Sequence, residues 1–388
     1  MKIALWISLF ITFYAFFGYG ILLFILIKIK RVTKGKPVVP VVEFDKLPTC
    51  TLVVAAYNEE DIIDQKIQNS LALVYPKDKL EVLFITDGST DGTAAKVDAY
   101  PAIRHMHSAE RKGKIVAVHR AMETVTTEVV VFTDANTFLN AEALVNICRH
   151  YADAKVGAVA GEKRVHAEAG DATAGEGFYW KYESKLKTWD SELYSVVGAA
   201  GELFSLRTVL YQPVPPETIL DDFMISLLVA QKGFRVIYEP EAFATESASQ
   251  NVTEELKRKI RIAAGGIQSI IWLKALLNPF PIPVLSFQYI SHRVLRWTVT
   301  PYLMILAVVL NIAIVVMHGS FIYQLLLLAQ IGFYLLALLG WILEERQIKV
   351  KIFFIPYYFC MMNYAVMAGI NRYAVGGQSA IWEKAKRQ

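Results

Sequence analysis

From Ala4 to Ile27 the chain carries no charged residue. As a helix rising about 1.5 Å per residue, this run reaches roughly 36 Å, enough to cross a hydrocarbon core of about 30 Å. A cleaved signal peptide is the competing reading, but its apolar part would be about 7–15 residues followed by small residues. This run is longer and ends in Lys28, Lys30, Arg31, Lys34 and Lys36. Residues 1–28 therefore read as a retained membrane anchor and 29–47 as a linker. The basic cluster puts the N-terminus outside and the residues after Lys28 in the cytoplasm, by the preference of Lys and Arg for that side.

Further uncharged runs occur at Trp297–Met317, Phe321–Leu343 and Ile352–Ile370, the first two joined only by His318-Gly319-Ser320. They predict a C-terminal membrane region over 297–371, opening with a hairpin. The third run carries Pro356 and Asn363 and precedes a basic tail, 372–388, with Lys384, Lys386 and Arg387. One anchor plus three crossings would leave that tail outside, against the charge preference. Either the third run is re-entrant or interfacial, or the preference fails here. With 54% hydrophobic and 20% charged residues and a mean hydropathy of +0.36, the chain is neither disordered nor wholly soluble. Forty Lys and Arg against 36 Asp and Glu give no reason to expect nucleic acid as a partner. Cys50, Cys148 and Cys360 lack the spacing of a disulfide framework or a zinc site.

Residues 48–247 have ordinary globular composition. Short apolar runs at 51–55, 81–85 and 129–132 alternate with helical patterns at 59–73, 94–100 and 112–124. That alternation predicts a mostly parallel sheet with helices on both faces, whose ligands bind beyond the carboxyl ends of the strands. Three predicted strands run into polar clusters: Tyr57-Asn58-Glu59-Glu60, Asp87-Gly88-Ser89-Thr90-Asp91 and Thr133-Asp134-Ala135-Asn136. Any one of these could be a turn or a helix cap. Their recurrence at successive strand ends predicts one ligand-binding edge.

The ordered strings AAYNEED, ITDGSTDGT, VVFTDANT, GAAGELFSLR, LDDF, GFRVIYEPEA and RKIRIAAG, lying between an anchor and a terminal membrane bundle, resemble the processive branch of the family 2 glycosyltransferases. That branch includes the cellulose, hyaluronan, chitin and poly-N-acetylglucosamine synthases. The resemblance implies an α/β GT-A fold, a uridine-linked sugar donor, Mg²⁺ or Mn²⁺, and inversion at the anomeric carbon. It implies that Asp87 reads the uracil, with Tyr57, Asn58 and Glu59 as the opposite wall and Lys114 on the phosphates. Asp134 and Asn136 match an Asp-x-Asp motif that reaches ribose and metal, with an amide in place of its second carboxylate. Asp222 matches the general base, with Asp221 in support. Arg258 and Arg261 match the glutamine and arginine of a Gln-x-x-Arg-Trp stretch, and Ile262 stands where that motif has tryptophan. Gly198, Ala199, Gly201 and Glu202 match the segment beneath the acceptor. Trp180, Tyr182 and Trp189 could stack on sugars or pack against the sheet. The run 257–261 also suits an interfacial helix over 248–296 that touches acidic headgroups.

The function expected is therefore an integral-membrane inverting hexosyltransferase that extends a polysaccharide in the cell membrane, with its catalytic domain in the cytoplasm. The nearest rival keeps the chemistry and transfers one sugar to a lipid acceptor of ceramide or polyprenyl-phosphate type. Few predicted spans follow the domain, which favours that rival or a homo-oligomer.

Overall fold

The computed structural model describes residues 1–166, 174–247, 252–346, 348 and 350–378. The chain opens with α1 (Lys2–Phe13) and α2 (Tyr19–Lys34), joined through a π-helical turn at Tyr14–Gly18. Strands and helices then alternate: β1 (Cys50–Ala56), α3 (Ile63–Leu71), β2 (Leu80–Asp87), α4 (Thr93–Asp98), β3 (Arg104–Ser108), α5 (Lys114–Met122) and β4 (Val129–Asp134). The globular part continues through β5 (Phe138–Leu139), α6 (Ala143–Cys148), β6 (Val156–His166), α7 (Ala174–Leu193), β7 (Phe204–Arg207), α8 (Asp221–Gln231) and β8 (Arg235–Ser247). After it come α9 (Val252–Trp272), α10 (Pro283–Tyr289), the short α11 (Leu295–Trp297), α12 (Thr300–His318), α13 (Phe321–Glu345) and α14 (Lys351–Ala374).

The eight strands form one mixed sheet in the order β3-β2-β1-β4-β7-β6-β8-β5. In β1 successive side chains point to opposite faces, as strand geometry requires. Val53 joins a core with Ile115 and Val118 of α5 and Phe223 of α8. Leu52 and Val54 join a second core with Ile63 and Ile67 of α3 and Leu144 of α6. Both faces are thus covered by helices, the condition under which a central parallel strand reads as a continuous apolar run.

Register places the site. β3, β2, β1 and β4 are parallel, with Ala56 opposite Thr86, Ala55 opposite Asp134 and Asp87 opposite Ser108. All three polar clusters therefore leave the sheet at one edge. β7 runs antiparallel to β4, so the segment entering β7 starts at that same edge. β6 is antiparallel to β7 and parallel to β8, which brings the ends of β6 and β8 there too.

The first helix continues to Lys34, past the expected start of the linker. Its second half lies along α7: Tyr19 donates to Asp190, Lys30 donates to the carbonyls of Glu192 and Leu193 at 2.5 and 2.9 Å, and Arg31 forks onto Glu192 with two contacts of 2.7 Å. At the other end, Leu5 packs with Ala307 and Ile314 of α12. Among the described residues, four helical stretches are long and apolar enough to cross a membrane: 2–34, 300–318, 321–345 and 352–374. The last behaves differently from the others. A Cβ on Gly340 of α13 would stand 2.2 Å from the Phe353 carbonyl, and one on Gly369 would stand 2.6 Å from the Ala263 Cβ. α14 thus starts against the end of α13 and finishes against α9. Lys384, Lys386 and Arg387 of the basic tail lie outside the described residues.

Candidate active site

Beyond the ends of β1, β2 and β4, a narrow cleft is lined by Tyr57, Asp87, Arg111, Gly113, Lys114 and Asp134. Asp87 is buried, and its Oδ2 accepts the backbone N–H groups of Lys112 and Gly113 at 3.0 and 2.7 Å. Among the described residues, its Oδ1 is buried without a hydrogen-bond partner. A carboxylate held rigid through one oxygen and open at the other is suited to accept a ring N–H. Arg111 covers the Tyr57 ring, 3.7 Å from its centroid. Asn58 and Glu59 do not enter this cleft. Asn58, at φ 52°, accepts the Thr90 N–H at 2.8 Å, and the Glu59 N–H donates to the Thr93 hydroxyl at 2.8 Å. They tie the loop after β1 to the loop after β2.

Lys114, at the first turn of α5, joins the cleft to a cavity of about 820 Å³. Its ammonium donates to Asp134 Oδ1 at 2.7 Å and lies 3.9 Å from Asp221 Oδ2. Burial alone would lower its pKa, but Asp134, Asp221 and Asp222 hold it above the ordinary lysine value. Asp221 and Asp222 open α8, where carboxylates suit the helix dipole. Burial first, and the adjacent Asp221 second, push the Asp222 carboxyl up to about 7. That value places a carboxylate where a general base works near neutral pH. Asn136 follows Asp134 at the strand end, half-buried, and lines neither the cleft nor the cavity.

The segment before β7 closes the cavity from the side. A Cβ on Gly201 would stand 3.3 Å from Asp222 Oδ2 and 3.4 Å from Lys114 Nζ. Gly198 has φ +82°, and a Cβ there would come 2.0 Å from the Phe223 ring. The Ala199 N–H donates to Ser226 at 2.9 Å. Glu202 serves the scaffold twice. Its carbonyl accepts the Thr133 hydroxyl at 2.8 Å and its carboxylate takes Lys163 at 2.5 Å. Burial would raise its pKa, but the Lys163 ammonium keeps it below the ordinary glutamate value. Lys163 also pairs with Glu246, and Arg258 forks onto Glu255 at 2.9 and 3.1 Å. Arg258, Arg261 and Ile262 of α9 line the same cavity.

Of the residues expected from sequence, the structure thus gathers Tyr57, Asp87, Lys114, Asp134, Gly198, Ala199, Gly201, Glu202, Asp221, Asp222, Arg258 and Arg261 around connected spaces. Sequence reasoning missed several others. Lys66 of α3 is fully buried behind the Asp134 turn and donates to the Thr137 carbonyl at 2.6 Å and to Thr133 at 3.2 Å. Burial brings it down to about 7, against the pull of Asp134. Lys187, Arg293 and Trp297 also line the cavity. Nothing in an isolated helical lysine distinguishes these positions from a solvated face. Trp180 lies under the ammonium groups of Lys163 and Lys259, at 5.6 and 5.1 Å.

A narrow cleft at a parallel strand edge, joined to a cavity holding paired carboxylates and a buried lysine, is the arrangement of a group-transferring α/β enzyme. Residues 51–211 match the family model described as Glycosyl transferase family 2, and this stretch is a glycosyltransferase domain of that family on a GT-A-like fold. The chain is similar to the poly-beta-1,6-N-acetyl-D-glucosamine synthase of Staphylococcus aureus (strain MSSA476), with 25% identity over 278 residues. That alignment takes in 68% of this chain and 66% of the synthase, so the chain spans slightly less than two thirds of that relative. The synthase of Staphylococcus epidermidis is 22% identical over 284 residues, 70% of this chain and 68% of that one. Among solved structures, the mannosyltransferase PcManGT from Pyrobaculum calidifontis in complex with GDP-Man and Mn²⁺ superposes with a TM-score of 0.72 at 24% identity, covering 97% of this chain and 100% of that one.

Proposed function

We propose that this protein transfers a sugar from a nucleotide-diphosphate sugar to an acceptor hydroxyl, with inversion at the anomeric carbon. The reading rests on one observation above the others: the Lys114 ammonium reaches both Asp134 and Asp221, so the donor end and the carboxylate pair share one space. Asp87 and Tyr57 hold the base and Arg261 meets the diphosphate, with Lys114 between. Asp222 takes the acceptor proton as its oxygen bonds the anomeric carbon, and the diphosphate leaves with the electron pair of the broken bond. One displacement from the face opposite the leaving group inverts the centre.

Among the described residues no group of three or more His, Cys, Asp or Glu stands ready to hold a metal. A hard divalent ion on a diphosphate takes most of its ligands from phosphate and water, so a single carboxylate is a fitting protein share. Asp134 would supply it for Mg²⁺ or Mn²⁺, and the ion would neutralise charge on the departing diphosphate; Asn136, expected as a second ligand, lies outside both linings. The fold neighbour, solved with GDP-Man and Mn²⁺, supports a nucleotide-sugar donor with a divalent ion. Uridine is the nucleoside expected here.

The synthase relatives support a growing polysaccharide as acceptor, and the Lys and Arg cluster after Ile27 supports a domain facing the cytoplasm at the cell membrane. A single transfer to a lipid is the second reading. It is favoured by Trp297 at the end of α11 and Met362 of α14, which line the cavity beside the apolar helices. Purified full-length protein, incubated with a panel of nucleotide sugars and divalent ions, should release nucleoside diphosphate and form a β- or α-linked product opposite to the donor. Release that is unaffected by a chelator, or a retained configuration, would overturn the scheme.

A further inference from the structure

Lys66 is a fully buried lysine that lines neither the cleft nor the cavity. It sits on α3 beside Ile63 and Ile67, which join the core with Leu52 and Val54 of β1. An apolar side chain would fill that place without the desolvation cost of an ammonium, so packing alone does not account for a lysine there. Both of its hydrogen bonds among the described residues end on the turn after β4, one on the Thr137 carbonyl at 2.6 Å and one on the Thr133 hydroxyl at 3.2 Å. Asn69, three positions along and on the same helix face, adds two more. Its amide donates to the Leu139 carbonyl at 2.8 Å and accepts the Leu139 N–H at 2.9 Å. Asp134 lies between these anchor points, with its carboxylate on the cleft side, where Oδ1 accepts from Lys114 at 2.7 Å.

The grip reaches the other wall of the site through one hydroxyl. Thr133 gives its proton to the Glu202 carbonyl at 2.8 Å, so toward Lys66 it can only accept. Glu202 follows Gly201, where a Cβ would stand 3.3 Å from Asp222 Oδ2. Lys66 is thus one hydrogen bond from the turn that carries Asp134 and two from the segment that flanks Asp222. The spacing of those two walls sets how well an acceptor oxygen lines up with the anomeric carbon of a bound donor, and alignment of that kind governs the rate of a displacement.

We propose that Lys66 is a positioning residue: its ammonium clamps the 133–139 turn to α3 and, through the Thr133 hydroxyl, keeps donor-side Asp134 in register with the acceptor-side Gly201-Glu202 segment. It touches neither substrate. The inference rests on the transferase reading above and adds to it a residue that acts through others. An ammonium suits the task because it donates in several directions from one atom, and so reaches a carbonyl and a hydroxyl four positions apart in sequence.

The test compares Lys66→Met, Thr133→Val and the double variant with the parent, all as full-length protein in detergent. Mn²⁺ is supplied with GDP-mannose or with whichever of a panel of UDP sugars the parent turns over. Rates are counted per donor-binding site from calorimetric stoichiometry, so unfolded protein does not enter them. Lys66→Met should lower kcat about 10²-fold while donor KM changes no more than about threefold, since Asp87, Tyr57 and Arg261 are untouched. Amide hydrogen exchange across 133–139, measured without nucleotide, should speed up about tenfold or more. Thr133→Val alone should lower kcat about tenfold, and the double variant should lose little more than Lys66→Met, because both changes break one chain of hydrogen bonds. A lysine that only stabilised the fold would leave kcat per site unchanged while the melting temperature fell, and that result overturns the proposal. Unchanged exchange across the turn, or losses that multiply in the double variant, would overturn it as well. If Lys66→Met yields no folded protein, Thr133→Val decides, and an unchanged kcat per site counts against the register role. No nucleoside diphosphate release from the parent with any donor would instead sink the transferase reading, and the exchange comparison would still show whether Lys66 holds the turn.

Discussion

At Asp222 the environment that suits catalysis also works against the fold. Its carboxyl is raised to about 7 by burial and Asp221, against about 3.9 in an unfolded chain. The folded state therefore binds this proton more tightly. Stability is untouched below about pH 4, falls as the unfolded carboxyl ionises, and stays reduced above about pH 7 by an amount on the order of a few kcal/mol. Asp222→Asn should accordingly raise the melting temperature more at pH 8 than at pH 5, while lowering turnover about 10²-fold or more with donor affinity nearly unchanged. Paired melts and single-turnover assays check both halves. In the unmodified protein kcat/KM should climb with pH through about 7, as the base loses its proton; a profile flat from pH 5 to 8 would remove Asp222 from that role. Arg261→Ala should behave otherwise, weakening donor binding and slowing transfer together, because a guanidinium meets charge in the ground state and more of it as the diphosphate leaves. Titration calorimetry beside rate measurement separates the two patterns.

Elements explain why those residues meet. Gly198 turns the chain at φ +82° directly under the first turn of α8. Gly198→Ala would add a left-handed strain and a clash with Phe223, together costing about 1–3 kcal/mol or more. A thermal melt should show the loss, and activity should fall with it because Phe223 adjoins Asp222. The α2–α7 contact is the second such joint. Asp190, fully buried, accepts from Tyr19 of α2, from Gln288 at 3.1 Å and from His292 at 2.6 Å. Asp190→Ala leaves those buried groups unanswered and should cost about 3–5 kcal/mol. Detergent-solubilised protein carrying it should melt well below the parent; an equal melting temperature would show that the Asp190 hydrogen bonds are not what holds the first helix to the domain.

For the whole molecule, the cavity ties the domain to the membrane region. Trp297, just ahead of α12, and Arg372 and Gly377, at the end of α14, line the same space. If α12 and α13 cross as a hairpin, α13 returns to the catalytic side and α14 begins and ends there. The basic tail would then lie with the catalytic domain, in agreement with the charge preference. Cysteines placed singly near Lys96 and at Gln388 should both resist an impermeant thiol reagent in intact cells, while one at Gly319 should react. A tail cysteine that reacts from outside would mean that α14 crosses.

Much of this was legible in the chain because it depends on neighbours in sequence. Apolar run length marks a crossing helix, alternation marks strands, and polar clusters after strands mark a ligand edge; Asp87 and Asp134 stand at such ends, whereas Asp222 opens α8. The first helix was legible as apolar but not as a partner of α7, since Tyr19 and Asp190 are 171 positions apart. Lys66, Lys187 and Arg293 were illegible for the same reason. A lysine on a helix has the same local pattern whether it faces water or a cavity, and only the packing of α3 and α7 against the sheet decides which. The sequence by itself determined the alternation of strands and helices through β4, the apolar helices at either end, and the edge at which ligands are expected to bind. The tertiary structure alone decided which distant charges share that edge, because desolvation and ion pairing depend on three-dimensional distance, which local periodicity does not encode.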